Sequence, residues 1–292
     1  MSAHDLTQVS ELFSAIRVQP AFEKLSRFLA SGNGAAIAVS GGVDSMTLAH
    51  LAVEFMPEPP MIFHAVSPAV PDSATQRVRE HAVRGGWYLK LVNAGEMDDP
   101  NYLANPVNRC YFCKANLYGF IRQAWSGELF SGANLDDLSD YRPGLIAAAE
   151  HRVRHPFIEA GVDKAGVRAL ARALGLGDLS ELPAQPCLSS RVETGNAINP
   201  LHLQMIDRIE STIRCWLGPV DVRCRVRRTG LVIEIEERVL ADLPSSRIDD
   251  IRSLSSSEAE RASFAFGGVE PYQRGSAFVG DKTLILREIS RD

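Results

Sequence analysis

The chain has 292 residues, of which 45% are hydrophobic and 23% charged, and its formal net charge is −5. This composition is ordinary for a globular protein and excludes collagen-like, disordered and disulfide-scaffold classes, while the length allows one large domain or two modest ones. The acidic balance argues against a broad nucleic-acid-binding surface, and no apolar run approaches the roughly 18 residues that a membrane span needs.

Residues 1 to about 34 read as a leading helix, with Phe13, Ile16, Phe22, Leu25, Phe28 and Leu29 at helical spacing. The first six residues lack a basic stretch followed by an apolar one, so no secretion leader is expected. Ala35–Val39 is a short continuous apolar run, as in a strand buried on both faces. Ser40-Gly41-Gly42-Val43-Asp44-Ser45 follows it, and a helix starts near Ser45. Met61–Val66 and Tyr88–Val92 read as further strands, with a helix over 73–84 between them. A helix over 110–124, a strand at Leu129–Ser131 and a helix over 163–174 capped by Asp163 complete the alternation. Strands alternating with helices imply crossover connections and a doubly wound parallel sheet, an α/β fold.

After about residue 190 the rhythm changes. An amphipathic helix over 200–217 precedes two alternating strands near 220–227 and 231–236, then a polar helix and a last strand near 283–287. The expected organisation is a domain over 1–190 and a smaller α+β domain over 191–292.

The hexapeptide Ser40–Ser45 carries the first chemistry. Ligands of open α/β sheets bind at the carboxyl ends of strands. Gly41 and Gly42 let the backbone approach an anion, Ser40 and Ser45 add hydroxyls, and the helix N-terminus adds oriented N–H groups. Asp44 has a place there if it holds a cation such as the Mg²⁺ of a polyphosphate. A Walker loop would need Gly-Lys-Ser/Thr, which is missing.

Five cysteines are present: Cys110, Cys113, Cys187, Cys215 and Cys224. An odd number without a secretion leader suits a reducing, cytoplasmic setting. Cys110 and Cys113 form a Cys-x-x-Cys pair beside a helix, and Cys187 lies in a loop with Ser189, Ser190 and Arg191. A thiolate is the natural nucleophile toward an acyl adenylate. Three thiolates can also hold a [4Fe–4S] cluster with one open iron, or zinc with one further ligand. Cys215 and Cys224 read as apolar packing. Arg223, Arg225 and Arg227 alternate on one face of a strand, facing Glu234 and Glu236. They suit either a salt-bridged solvent face or a phosphate site.

Ser40–Ser45 resembles the PP-loop of the ATP pyrophosphatase family. Four further segments match, in order, the LarE sulfurtransferase branch of that family: Ala65–Pro71, Arg109–Lys114, Gly132–Leu145 and Pro186–Arg191. The resemblance spans about 35 to 240. It implies a Rossmann-like domain that binds ATP and Mg²⁺ through Ser40, Gly41, Gly42, Asp44, Ser45, Asn134 and Asp137, with Asp136 and Asp137 alternatives for the metal. It implies adenylation of a carboxylate of a pyridinium dicarboxylate mononucleotide, release of AMP and pyrophosphate, and formation of a thiocarboxylate, as in nickel-pincer nucleotide synthesis. Cys187 matches the attacking cysteine, which some members sacrifice to dehydroalanine. The set Cys110, Cys113 and Cys187 matches members that carry a [4Fe–4S] cluster fed by sulfide or another sulfur donor. Ser190, Arg191, Arg225 and Arg227 match phosphate contacts, and Glu210 and Glu236 match acidic positions of the same site. The resemblance further implies a homo-oligomer. Two segments depart from the pattern: Leu182 replaces a lysine, and Val192–Ala197 replaces a Tyr-Gly-Thr-Pro-like run. Thiolation of a tRNA or free nucleobase is the nearest alternative, and a non-catalytic nucleotide-binding module is the alternative of another class.

Overall fold

The structure, a computed structural model, describes residues 20–32, 34–139, 142–273 and 275–277. In chain order the elements are α1 (Pro20–Ala30), β1 (Ala35–Ala38), α2 (Val43–Phe55), β2 (Met61–Ala65), α3 (Asp72–Gly85), β3 (Tyr88–Val92) and α4 (Pro100–Leu103). Then come α5 (Arg109–Ala124), β4 (Glu128–Ser131), α6 (Pro143–Glu150), α7 (Pro156–Ala160), α8 (Lys164–Ala173) and α9 (Gly177–Ser180). The chain continues with α10 (Pro200–Leu217), β5 (Val222–Arg227), β6 (Gly230–Ile235), α11 (Glu237–Asp242), α12 (Ser245–Arg261) and β7 (Phe266–Pro271). They form two compact units. Of the described residues, the first holds those up to Glu96 together with those of Cys110–Gln185; the second holds Met97–Arg109 and those from Pro186 onward.

The first unit is built on a parallel sheet of order β3-β2-β1-β4. Its central strand explains why Ala35–Val39 is apolar without a break. Ala35, Ile37 and Val39 join one core with Leu25, Leu29, Met46, Leu51, Val167 and Leu170. Ala36 and Ala38 join a second core with Leu117, Ile121, Leu129 and Val153. Both faces are covered by helices, so neither set of alternate residues can be polar. Strand order reverses beside β1, which puts the loop after β1 at the switch point where such sheets take ligands. Asp163 caps α8 through Gly166 N at 2.7 Å, as its sequence position predicts.

A polar chain crosses this unit behind the sheet. His50 Nε2 lies 2.8 Å from His81 Nδ1, and His81 Nε2 lies 3.0 Å from Asp178 Oδ2. Trp87 stacks edge-on against His50. Burial, with the neighbouring His81 and Arg84, lowers the His50 pKa to about 4, and Asp178 offsets this only in part. An unfolded His50 regains its ordinary value near 6.5, so the unfolded chain binds the proton more readily between these pH values. Stability of the first unit is therefore expected to fall as pH drops below about 6.5 and to level off below about 4, by about 2–3 kcal/mol for this group. Urea titrations across that range, comparing the native chain with His50→Gln, isolate the contribution.

In the second unit β5 and β6 form an antiparallel hairpin, with Val222 opposite Ile235 and Arg227 opposite Gly230. β7 adds to β6 in parallel. α10 packs on β5 and α12 on β7. Val222, Cys224, Val226, Leu231, Ile233 and Ile235 are buried, as are Leu203, Ile206, Ile209 and Ile213 of α10. The segment 97–109 belongs here through long-range bonds. Ile198 N donates to Leu103 O at 2.8 Å, and Tyr102 Oη lies 2.6 Å from Ser189 Oγ. Asn105, fully buried at φ +53°, donates from its amide to the carbonyls of Val192 and Glu193.

The two compact units meet at 185/186, and 97–109 lies with the second. Other features differ from the sequence reading. β7 was not anticipated, because Gly267 and Gly268 interrupt its alternation. Cys215 is exposed rather than packed, whereas Cys224 is buried. The helix predicted before Pro20 and the strand predicted at 283–287 lie outside the described residues.

Candidate functional sites

In the first unit the chain leaves β1 at Val39 and turns through Ser40–Gly42 into α2. Gly41 sits at φ +83°, which favours glycine, and a Cβ there would lie 2.8 Å from Ala74 O. Ser45 stitches the loop: its Oγ accepts from Ser40 N at 3.0 Å and donates to Gly42 O at 3.3 Å. Ser40 Oγ is 3.2 Å from Ser45 Oγ and accepts from Gly42 N at 3.4 Å. Gly132, just beyond β4, approaches so closely that a Cβ would stand 2.6 Å from Ser45 N. The result is a loop wrapped tightly on the start of a 13-residue helix whose first N–H groups favour an anion.

Asp44 stands in the first turn of that helix and is partly exposed. Lys164 Nζ reaches its Oδ2 at 2.5 Å, and Asn134 Nδ2 donates to its Oδ1 at 3.1 Å. A carboxylate, an ammonium and an amide thus converge beside the loop from α2, from the start of α8 and from the end of β4. Lys164 was not anticipated as a site residue, since it meets Asp44 across 120 residues of sequence and only the fold brings them together. Asp137 closes a capping box, accepting from Asn134 N at 3.0 Å, and pairs with Arg142 at 3.0 Å. Asp136 is exposed on the same turn. Tyr141 lies outside the described residues. The donor set suits a polyphosphate with its cation, because Asp44 can take the metal while Lys164 turns to a phosphate oxygen. One further pair lies at the carboxyl end of β4, where Ser131 Oγ is 2.8 Å from His155 Nδ1. Burial lowers the His155 pKa, despite the opposing charges of Glu159 and Asp137.

The second unit gathers the arginines and glutamates. Arg191, 2% exposed, holds Glu210 with two parallel bonds of 2.8 Å, and Arg214 adds a third at 2.5 Å. Cys224 N donates to the same carboxylate at 2.9 Å. Burial would raise the Glu210 pKa, but Arg191, Arg214 and that N–H outweigh it and keep it below the usual value. Arg191 also donates to the carbonyls of Pro186 and Cys187, at 2.6 and 3.2 Å, and to Ser190 Oγ at 3.1 Å. Arg191 is thereby the strut around which the loop bearing Cys187 is folded. Arg225 donates to Ser190 O at 2.9 Å and pairs with Glu234 at 2.9 Å. Arg227 bridges Glu234 and Glu270 at 3.0 and 2.9 Å and is about a quarter exposed.

The arginine face of β5 is therefore not a solvent face. Arg223 and Arg225 are buried, and Tyr272 lies over both guanidiniums. Glu234 is the buried counterion of Arg225 and Arg227, while Arg223 pairs with Asp221 at 2.9 Å. Glu236, expected beside Glu234, is exposed past the end of β6, where it precedes α11. Glu234 lies on the face that alternation identifies, whereas Glu270 comes from the unanticipated β7.

The cysteines fall in both units. Cys110 is exposed and Cys113 half-buried in α5, in the first unit, and Cys187 is half-buried in the second. Among the described residues no group of three or more His, Cys, Asp or Glu side chains is gathered as a metal site. Nor is any described helix long and apolar enough to cross a membrane.

Fold and loop together define an α/β protein of the PP-loop, Rossmann-like class, extended by a small second sheet. No protein-family model matches the chain. The uncharacterized protein slr1717 of Synechocystis is 38% identical over 73% of this chain and 80% of its own length, and the chain belongs to the family of that protein. The uncharacterized protein MJ0830 of Methanocaldococcus jannaschii is 27% identical over 69% of the chain and 77% of its own length. A more distant homologue, 26% identical over 70% of the chain and 76% of its own length, is the pyridinium-3,5-bisthiocarboxylic acid mononucleotide synthase of Lactiplantibacillus plantarum.

Proposed function

We propose that the protein is an ATP-dependent sulfurtransferase that adenylates a carboxylate of a pyridinium dicarboxylate mononucleotide and converts it to a thiocarboxylate. The observation that carries this reading is the Ser40–Ser45 loop, with Asp44, Lys164 and Asn134 converging at its helix. Homology to the Lactiplantibacillus synthase supports the substrate class.

The loop N–H groups and Ser40 hold the β- and γ-phosphates, and Lys164 neutralises them. Asp44 would hold the magnesium of ATP, which offsets charge growing on the leaving pyrophosphate. The substrate carboxylate attacks the α-phosphorus, the α–β bridging bond breaks, and an acyl adenylate remains. In the second unit the Cys187 thiolate attacks that acyl carbon, AMP leaves and a thioester forms. Loss of the Cα proton and cleavage of the Cβ–S bond then yield the thiocarboxylate and a dehydroalanine at 187. Arg191 holds the Cys187 loop in shape through the carbonyls of Pro186 and Cys187. Ser190 and Arg227, the more exposed members of the arginine network, receive the substrate phosphate.

The test is incubation of the chain with ATP, magnesium and the dicarboxylate mononucleotide, following AMP, pyrophosphate and the mass of the Cys187 peptide. AMP and pyrophosphate are expected in equal amounts only with the nucleotide substrate present. The native Cys187 peptide should lose the elements of H₂S, while Cys187→Ser should still release pyrophosphate without forming thiocarboxylate. Pyrophosphate release with an unaltered Cys187 would move the sulfur source to an external donor. Iron and sulfide analysis after anaerobic purification, repeated with Cys110→Ala and Cys113→Ala, would then identify a cluster. No pyrophosphate release would reject the reading.

A further inference from the structure

One face of α3 touches both the nucleotide loop and the stretch of chain that leads to Cys187. Ala74, Arg77, His81 and Arg84 recur at intervals of three and four residues, which places them in one stripe. At its start, Gly41 packs so tightly on Ala74 that no Cβ would fit between them. Next, Arg77 donates from Nη1 to Gly41 O at 2.8 Å and from Nη2 to Gln185 Oε1 at 3.3 Å. Farther along, His81 and Arg84 reach Asp178 at 3.0 and 3.3 Å. Arg168 reinforces the same stretch from α8, donating to the carbonyls of Ser180 and Leu182. Residues 178–185 are thus fastened at several points, and the last of them is Gln185.

Gln185 is the final residue of the first unit and stands two positions before Cys187. Among the described residues Arg77 joins it to the loop, its planar fork engaging two acceptors at once. We propose that Arg77 is a positioning residue that couples occupancy of the Ser40–Ser45 loop to the mobility of the Gln185–Cys187 connection. An anion on the loop amides attracts the nearby guanidinium and fixes Gly41, so the same guanidinium holds Gln185 more firmly. Occupancy and anchoring then favour each other by one common factor. In chemical terms, the thiol is restrained while pyrophosphate is bound and freed once it leaves. This inference rests on the loop being a pyrophosphate site, as proposed above.

The test uses the full chain with magnesium pyrophosphate as the probe. Alkylation of Cys187 by iodoacetamide is timed through the mass of its peptide, which separates it from the other cysteines. Pyrophosphate binding is measured in parallel by calorimetry. In the native chain, saturating pyrophosphate is expected to slow Cys187 alkylation by about fivefold or more, within the usual range of site–site coupling. Gln185→Leu should bind pyrophosphate within about twofold of native yet lose that response. Gln185→Asn, which is polar but too short to reach, should behave alike and guards against a folding defect in the first variant. Arg77→Lys, which presents a single ammonium, should weaken the response as well. Unchanged or faster alkylation in a native chain that binds pyrophosphate overturns the coupling alone, as does a full response in both Gln185 variants. A native chain that binds neither ATP nor pyrophosphate overturns the underlying reading of the loop, and the coupling with it.

Discussion

Glu210→Gln is expected to destabilise the second unit by about 3–5 kcal/mol, because it strips a buried carboxylate from two arginines that stay buried or half-buried. Arg191 cannot retreat to water: it is 2% exposed and surrounded by the carbonyls of Pro186 and Cys187. The amide also offers one oxygen where three arginine bonds and the Cys224 N–H now share two. Urea unfolding followed by Trp216 fluorescence measures the loss. A change below about 1 kcal/mol would mean that the loop does not depend on this strut. Replacing Arg191 and Glu210 together with a well-packed apolar pair should cost much less than the single change, since no charge is then stranded. The same single variant should make the Cys187 loop cleave faster in limited proteolysis, because Arg191 shapes it.

Asp44→Asn is expected to reduce pyrophosphate release by about 10²–10³-fold, the several kcal/mol that a bound cation contributes to a developing charge. The substitution is nearly isosteric, keeps Asn134 in hydrogen-bonding range and leaves Lys164 without its counterion. Binding of ATP without magnesium should change little or strengthen, since a carboxylate repelling the phosphates is gone. Initial rates of pyrophosphate formation, with calorimetric ATP binding in the presence and absence of magnesium, separate these effects. Equal rates in both proteins would remove Asp44 from the site.

What the amino-acid sequence reveals here depends on how local each decision is. The continuous apolar run Ala35–Val39 followed by Ser40–Ser45 announces strand, loop and helix within a dozen residues; all three are present, the helix starting at Val43, two residues earlier than read. The periodicity of 200–217 locates α10 to the residue, because one face must bury Leu203, Ile206, Ile209 and Ile213. Other features are decided by distant partners. Alternation at 223–227 identifies a polar face but cannot say that Tyr272 covers it. Counterion choice is likewise non-local. Glu234 and Glu236 share a strand face on paper, but β6 stops at Ile235 and only Glu234 stays inside. Lys164 and Arg77 carry no motif at all, and their importance comes from what the folded sheet places beside them.

The excursion of residues 97–109 has a consequence for how the molecule is made. Tyr102 and Asn105 find their partners at Ser189, Val192 and Glu193, and Leu103 finds its own at Ile198. On a ribosome these residues emerge long before those partners exist. The segment must therefore wait, unsatisfied, while the remainder of the first unit is synthesised after it. Nascent chains arrested short of Pro186 would expose Tyr102 and Asn105, both buried at completion. A gene fragment that began at Pro186 would lack them altogether. The second unit is thus not a separable cassette: its last side chains to dock were among the earlier ones translated, and the halves of the gene cannot be exchanged between relatives at the 185/186 seam without carrying 97–109 along.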